Sequence, residues 1–152
     1  VRLASQDETT IEDVEQSHGD GISISEFPTT LAAARRAREL GQLIVMGAPN
    51  VVLGGSHSGN VSAMALAEEG LLDVLTSDYV PASLLSGAIQ VGERLGDLGA
   101  GVATVTSRPA DLLGFIDRGR LEPGLRADIL QVRIVAGQPV IRGVWAAGPG
   151  YF

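Results

Sequence analysis

The chain has 152 residues, 45% of them hydrophobic and 19% charged, and a net charge of -7. This is ordinary composition for one globular domain, and the negative balance argues against a nucleic-acid backbone or an anionic membrane as the main partner. There is no cysteine for disulfides or thiolate metal sites, no apolar run of the roughly 18 residues that a membrane span needs, and no signal-peptide core in the opening VRLASQDE, a pattern that suits the cytoplasm.

Val1 to Ala4 is strand-like and ends in the polar cluster Ser5, Gln6, Asp7 and Glu8. Thr9 and Thr10 can cap a helix from Ile11 to about Ser17, acidic at its start as the helix dipole prefers. His18-Gly19-Asp20-Gly21 reads as a turn, with His18 on the surface. Ile22 to Ser25 is a second strand, ending in Glu26-Phe27-Pro28. Thr29 or Thr30 caps an amphipathic helix from Leu31 to Leu40, which Gly41 ends. Its Arg35, Arg36 and Arg38 form a basic face, solvated or paired with acids. Leu43 to Met46 is a wholly apolar third strand, as a strand buried on both faces should be.

A long glycine-rich loop follows, Gly47-Ala48-Pro49-Asn50 and then Gly54-Gly55-Ser56-His57-Ser58-Gly59-Asn60. A helix from about Val61 to Glu69 stops at Gly70, and Leu72 to Leu75 is a fourth strand. That strand delivers Ser77 and Asp78, and a helix from Pro81 to about Leu95 comes next. Strand, polar tip, helix and glycine turn thus recur in the same sense, which predicts parallel βαβ units. Their chemistry belongs at the strand C-termini of a barrel or a doubly wound sheet. Asp78 is such a tip, suited to ligate a divalent metal, although an Asp there can also serve only as a helix cap.

After Gly96 the pattern changes. Leu98 to Ser107 and Arg108 to about Phe115 read as helices, and Ile129 to Ile134 and Pro139 to Trp145 as strands of a β-rich tail. An isolated hairpin is marginal, so these strands call for a partner sheet. Trp145 and Tyr151 read as packing residues. A full (β/α)8 barrel takes about 250 residues. The four units therefore make either an open α/β domain or the C-terminal half of something longer.

Three motifs are specific enough to point to a family: ISEFPTT (Ile24 to Thr30), MGAPNVVLGGSHSGN (Met46 to Asn60) and LLDVLTSDYVPASLL (Leu71 to Leu85). With the opening LASQDETT and the later PADLLGFIDRGRLEPGLRADILQV, they resemble the phosphonate-catabolism members of the amidohydrolase superfamily, the α-D-ribose 1-methylphosphonate 5-triphosphate diphosphatases, over essentially the whole chain. The resemblance implies the C-terminal half of a metal-dependent (β/α)8 TIM barrel, strands five to eight, in residues 1–116, and a small β-sandwich tail in residues 117–152.

It implies hydrolysis of a phosphorylated sugar to the 5-phosphate and diphosphate, with a divalent metal (Zn, Mn or similar) as cofactor. Asp78 would be catalytic and a metal ligand, with His57 and Glu26 as further ligands. Gly54, Gly55, Ser56, His57, Ser58, Gly59 and Asn60 would cradle phosphate ahead of a helix, and Asp7 would contact substrate. The bland alternatives are a tight turn for the loop, a solvated His57, and capping or solvation for Glu26. Two positions depart from the family pattern: Gln6 stands where a histidine ligand is expected, and Leu53 where an arginine is usual. The superfamily's His-x-His strand is not in the chain. These departures leave two other readings. One is a catalytically impaired partial barrel that binds a phosphorylated ligand or assembles with another half-barrel, as a homo-oligomer or with a missing N-terminal half. The other is an amidohydrolase acting on a cyclic amide.

Overall fold

The computed structural model describes residues 2–56 and 58–147. Strands β1 (Ala4–Gln6), β2 (Ile24–Glu26), β3 (Leu43–Gly47) and β4 (Val74–Thr76) form a parallel sheet in the order β1-β2-β3-β4. The order follows the sequence with no reversal, so this sheet has no switch point of the doubly wound kind. Helices α1 (Ile11–Gly19), α2 (Leu31–Glu39), α3 (Ala48–Val52), α4 (Ala63–Glu68), α5 (Ser83–Leu95), α6 (Leu98–Ala103) and α7 (Ser107–Leu113) accompany it. The tail is an antiparallel pair, β5 (Asp128–Val135) and β6 (Gln138–Ala146), forming a second sheet of its own.

The helices form where caps and glycines allow. Thr10 closes a capping box with Asp13, whose carboxyl is held below the usual range, first by the Thr10 N–H and then by the Thr10 hydroxyl and Thr9 N–H. Thr30 and Ser62 cap α2 and α4 by accepting the Ala33 and Ala65 N–H. At the other ends, Gly21, Gly41 and Gly70 take positive φ. The next residue's N–H then bonds back into the helix: Ile22 to Ser17 O, Gln42 to Ala37 O, and Leu71 to Leu66 O.

β1, β2 and β4 each lie further along the chain than the apolar runs suggest. Leu71 and Leu72 are buried, but Leu71 belongs to the helix closure, and the ladder begins only at Val74. The stretch from Ala48 to Val52 also differs from expectation. It is a short helix with Pro49 in its first turn, where a missing N–H costs nothing.

The two faces of the sheet have different fates. Ser25, Ile44, Met46 and Leu75 are buried, the last three in a core with Val14, Ala33, Ala34, Ala37, Leu66 and Val91 from the helices. On the other face, Val45 and Val74 pack with Leu112 of α7, beside partly buried Ile24 and Leu43. The outer edge of β4 donates Leu75 N–H to Thr104 O at 3.0 Å. The basic face of α2 is paired: Arg35 with Glu69, Arg36 with Glu15 and Glu39, and Arg38 with Asp73. In the tail, Ala136 and Gly137 both take positive φ, the geometry of a tight hairpin turn. Half-buried Trp145 packs against Gly143, as expected of a packing residue. Tyr151 lies outside the described residues.

Helices α5 and α6 approach at glycines. A Cβ on Gly101 would lie 2.3 Å from Ala88 O and 2.4 Å from Gly92 N, both backbone atoms that cannot yield cheaply. Gly101→Ala is expected to lower unfolding free energy by about 1–3 kcal/mol through overpacking. Urea denaturation checks this, and an unchanged midpoint would show that the two helices do not approach so closely.

Candidate strand-tip site

Parallel strands in sequential order bring their C-terminal tips to one edge. The register aligns Gln6 with Glu26, Glu26 with Val45, and Val45 with Val74. Residues paired in a ladder share a face, so Gln6 and Glu26 project on the face opposite Ser25 and Ile44. Glu26 is half-buried and Gln6 exposed.

The chain leaves three of these strands through left-handed residues: Asp7 at φ 59, Phe27 at φ 57 and Asp78 at φ 49. Aspartate tolerates this region; a bulky aromatic does so only under constraint. Phe27 is constrained by its N–H bond to Val45 O at 2.9 Å, by its packing against the core, and by buried Pro28 behind it. Asp7 is held by its N–H to Glu26 O at 3.0 Å.

Asp78 is exposed and its carboxylate lies over Gly47 of β3. A Cβ on Gly47 would sit 3.3 Å from Asp78 Oδ2, so the glycine makes room for the acid. Asp78 does not cap the following helix: α5 starts at Ser83, its N-cap is Ala82, and no side chain caps it. One strand spacing and two residues separate Glu26 from Gly47, roughly 8 Å between Cα atoms. The two acids therefore face the same opening.

The glycine-rich loop is tied largely to itself. Gly54 N–H donates to Val51 O, Gly55 to Asn50 O, Ser58 to Ser56 Oγ and Gly59 to Ser56 O. At the start of α4, Ala63 N–H donates to Asn50 Oδ1 and Ala65 N–H to Ser62 Oγ. These amides already have partners, and Asn60 is exposed at the loop's end. His57 lies outside the described residues. Leu53, at the position where an arginine is usual in the family, is 58% exposed. Two surface grooves lie instead around Asp73 and Arg108, where β4 begins.

Among the described residues no three His, Asp or Glu side chains come together as a metal site. Glu26 and Asp78 offer two carboxylates, and Gln6 offers an amide where imidazole would bind a transition metal better. The described residues therefore do not complete the metal centre expected from the sequence.

Sequence reasoning also missed Glu8, which it left in the polar cluster that ends the first strand. Glu8 is 4% exposed, and the Ser25 hydroxyl donates to its Oε2 at 2.5 Å. The available signal was Ser25 itself, a hydroxyl on the strand face that elsewhere carries Ile44, Met46 and Leu75.

No protein-family model matches the chain. The Alpha-D-ribose 1-methylphosphonate 5-triphosphate diphosphatase of Escherichia coli (strain K12) is 45% identical over 155 aligned positions, covering 100% of this chain. The resemblance to the diphosphatase family is borne out. The chain spans 41% of that relative's length. A crystal structure of an uncharacterized protein matches with a TM-score of 0.71 at 15% identity, over 99% of this chain and 45% of that one. That likeness speaks to the fold alone: α/β with a parallel sheet. No helix of the described residues is long and apolar enough to cross a membrane.

Asp78 is exposed and left-handed, which predicts a separation of residue types. Asp78→Asn should leave thermal unfolding within about 0.5 kcal/mol of the parent. Asp78→Val should lose about 1–2 kcal/mol, because a β-branched residue resists positive φ. An equally stable valine variant would show that the tip is not left-handed in solution.

Proposed function

We propose that the chain carries the strand-tip half of a diphosphatase active site that hydrolyses α-D-ribose 1-methylphosphonate 5-triphosphate to its 5-phosphate and diphosphate. The observation that carries this reading is the 45% identity to a diphosphatase across the whole chain. The strand order supports a partial (β/α)8 barrel, because neighbours that follow the sequence without reversal are what such a barrel requires. The tail hairpin fits strands of a flanking β-sandwich.

In this reading water attacks a phosphorus of the triphosphate chain. Asp78 accepts the water's proton as the new P–O bond forms and the bond to diphosphate breaks. Its exposure and its position over Gly47 suit that role. Glu26, on the same face, orients the water or takes the proton onward. A divalent ion would also lower the water's pKa and neutralise phosphate charge. Glu26 and Asp78 are the two carboxylates that would hold one, together with substrate phosphates and waters, and the proton transfers are assigned to the side chains.

A diphosphate-release assay with and without divalent cations tests the reading. Asp78→Asn should lower kcat by about 10²–10⁴-fold, the usual worth of a general base. Equal rates for parent and variant would remove Asp78 from the mechanism.

A second reading is favoured by the free edge of β1, which has no strand partner on its outer side among the described residues. Unpaired edges invite association, and a half-barrel would pair with another half-barrel. Light scattering over a concentration series should then show assembly. A mass that stays monomeric throughout would dismiss it.

A further inference from the structure

We propose that Glu8 is a positioning residue, a buried acid beneath the strand tips that fixes Gln6 and Asp7 beside Glu26. Left-handed Asp7 sends its two neighbours to opposite faces: Gln6 stays on the face of Glu26, while the Glu8 side chain reaches Ser25 on the other. Glu8 is 4% exposed and Ser25 0%. The Ser25 hydroxyl donates to Oε2, while the buried Oε1 has no hydrogen-bond partner.

The main chain of Glu8 is tied as well. Its carbonyl accepts from Thr29 N–H at 2.8 Å and from the Thr29 hydroxyl at 3.3 Å. The Thr29 hydroxyl also lies 2.8 Å from Thr9 Oγ1, and the Thr30 hydroxyl donates to Thr9 O at 2.7 Å. One residue and its contacts therefore join the tip of β1, the middle of β2 and the start of α2. Asp7 N–H, one position earlier, donates to Glu26 O at 3.0 Å. An apolar pair would fill this part of the core without leaving an oxygen bare, and a bare buried oxygen is unfavourable. The polar pair is the costlier choice for stability, and what it provides is a fixed direction for the β1 tip.

The catalytic part of this assignment rests on the diphosphatase reading; the structural part does not. The test compares Glu8→Ala, Glu8→Gln and Ser25→Ala in the same chain by amide hydrogen exchange and by diphosphate release. Glu8→Ala and Ser25→Ala should lower protection of the Asp7 and Thr29 amides by about 10-fold or more, because both amides bond across the tips that this pair joins. In the assay Glu8→Ala should lower kcat by about 10–100-fold with little change in KM, as is usual when a residue supporting a site is removed. Glu8→Gln keeps an acceptor for Ser25 and should restore both properties. If Glu8→Ala fails to fold, Ser25→Ala and Glu8→Gln still give the comparison.

Unchanged protection at both amides overturns the assignment. So does a loss confined to KM, or a Gln variant as impaired as the Ala or Ser25 variant. A parent chain that releases no diphosphate would instead overturn the diphosphatase reading, and hydrogen exchange alone would then decide the role of Glu8.

Discussion

Burial of one sheet face under alanine-rich helices governs the rest of this molecule. Ile44, Met46 and Leu75 point into that interface, where Ala33, Ala34 and Ala37 let the backbone of α2 come close. Because a strand alternates its side chains, committing these residues to the helices commits their neighbours to the opposite face. Gln6 and Glu26 are among those neighbours. Parallel pairing then places every tip at the same edge, so Gln6, Glu26 and the strand ends form one region. A slip of one residue in β2 would turn Glu26 towards the helices and Ser25 away from them.

The tips combine tolerance and constraint. Asp7 and Asp78 take up left-handed backbone that their residue type accepts, whereas Phe27 is held there by surrounding packing. Gly47, without a side chain, leaves space for the carboxylate of Asp78. What surrounds these acids is less complete than their placement. The amides of Gly54, Gly55, Ser58 and Gly59 are engaged within their own loop, and the described residues assemble no group of three metal-binding side chains. Two carboxylates on one face are suited to moving protons.

The parts of the fold that depend on local rules were legible in the sequence. Thr10, Thr30, Gly41 and Gly70 mark helix ends because capping is decided within a few residues. Strand positions were displaced because an apolar residue such as Leu72 looks the same whether it lies beside a helix end or in a ladder. Ala48 to Val52 was read as loop because Pro49 and two flanking glycine clusters suggest a break, although proline fits a first turn. Asp78 was legible as a strand-tip acid. Glu8 was not, because its burial depends on Ser25, a residue 17 positions away in sequence.

The sequence by itself determined the repeating βα units, the strand-tip position of Asp78 and the kinship with a diphosphatase, since each is written in local pattern or in motif. Only the tertiary structure decided the order of the strands, which acids share a face, and that Glu8 lies inside. Those outcomes depend on pairing and packing between segments far apart in the chain. A polar residue acquires its role there from what the fold brings against it.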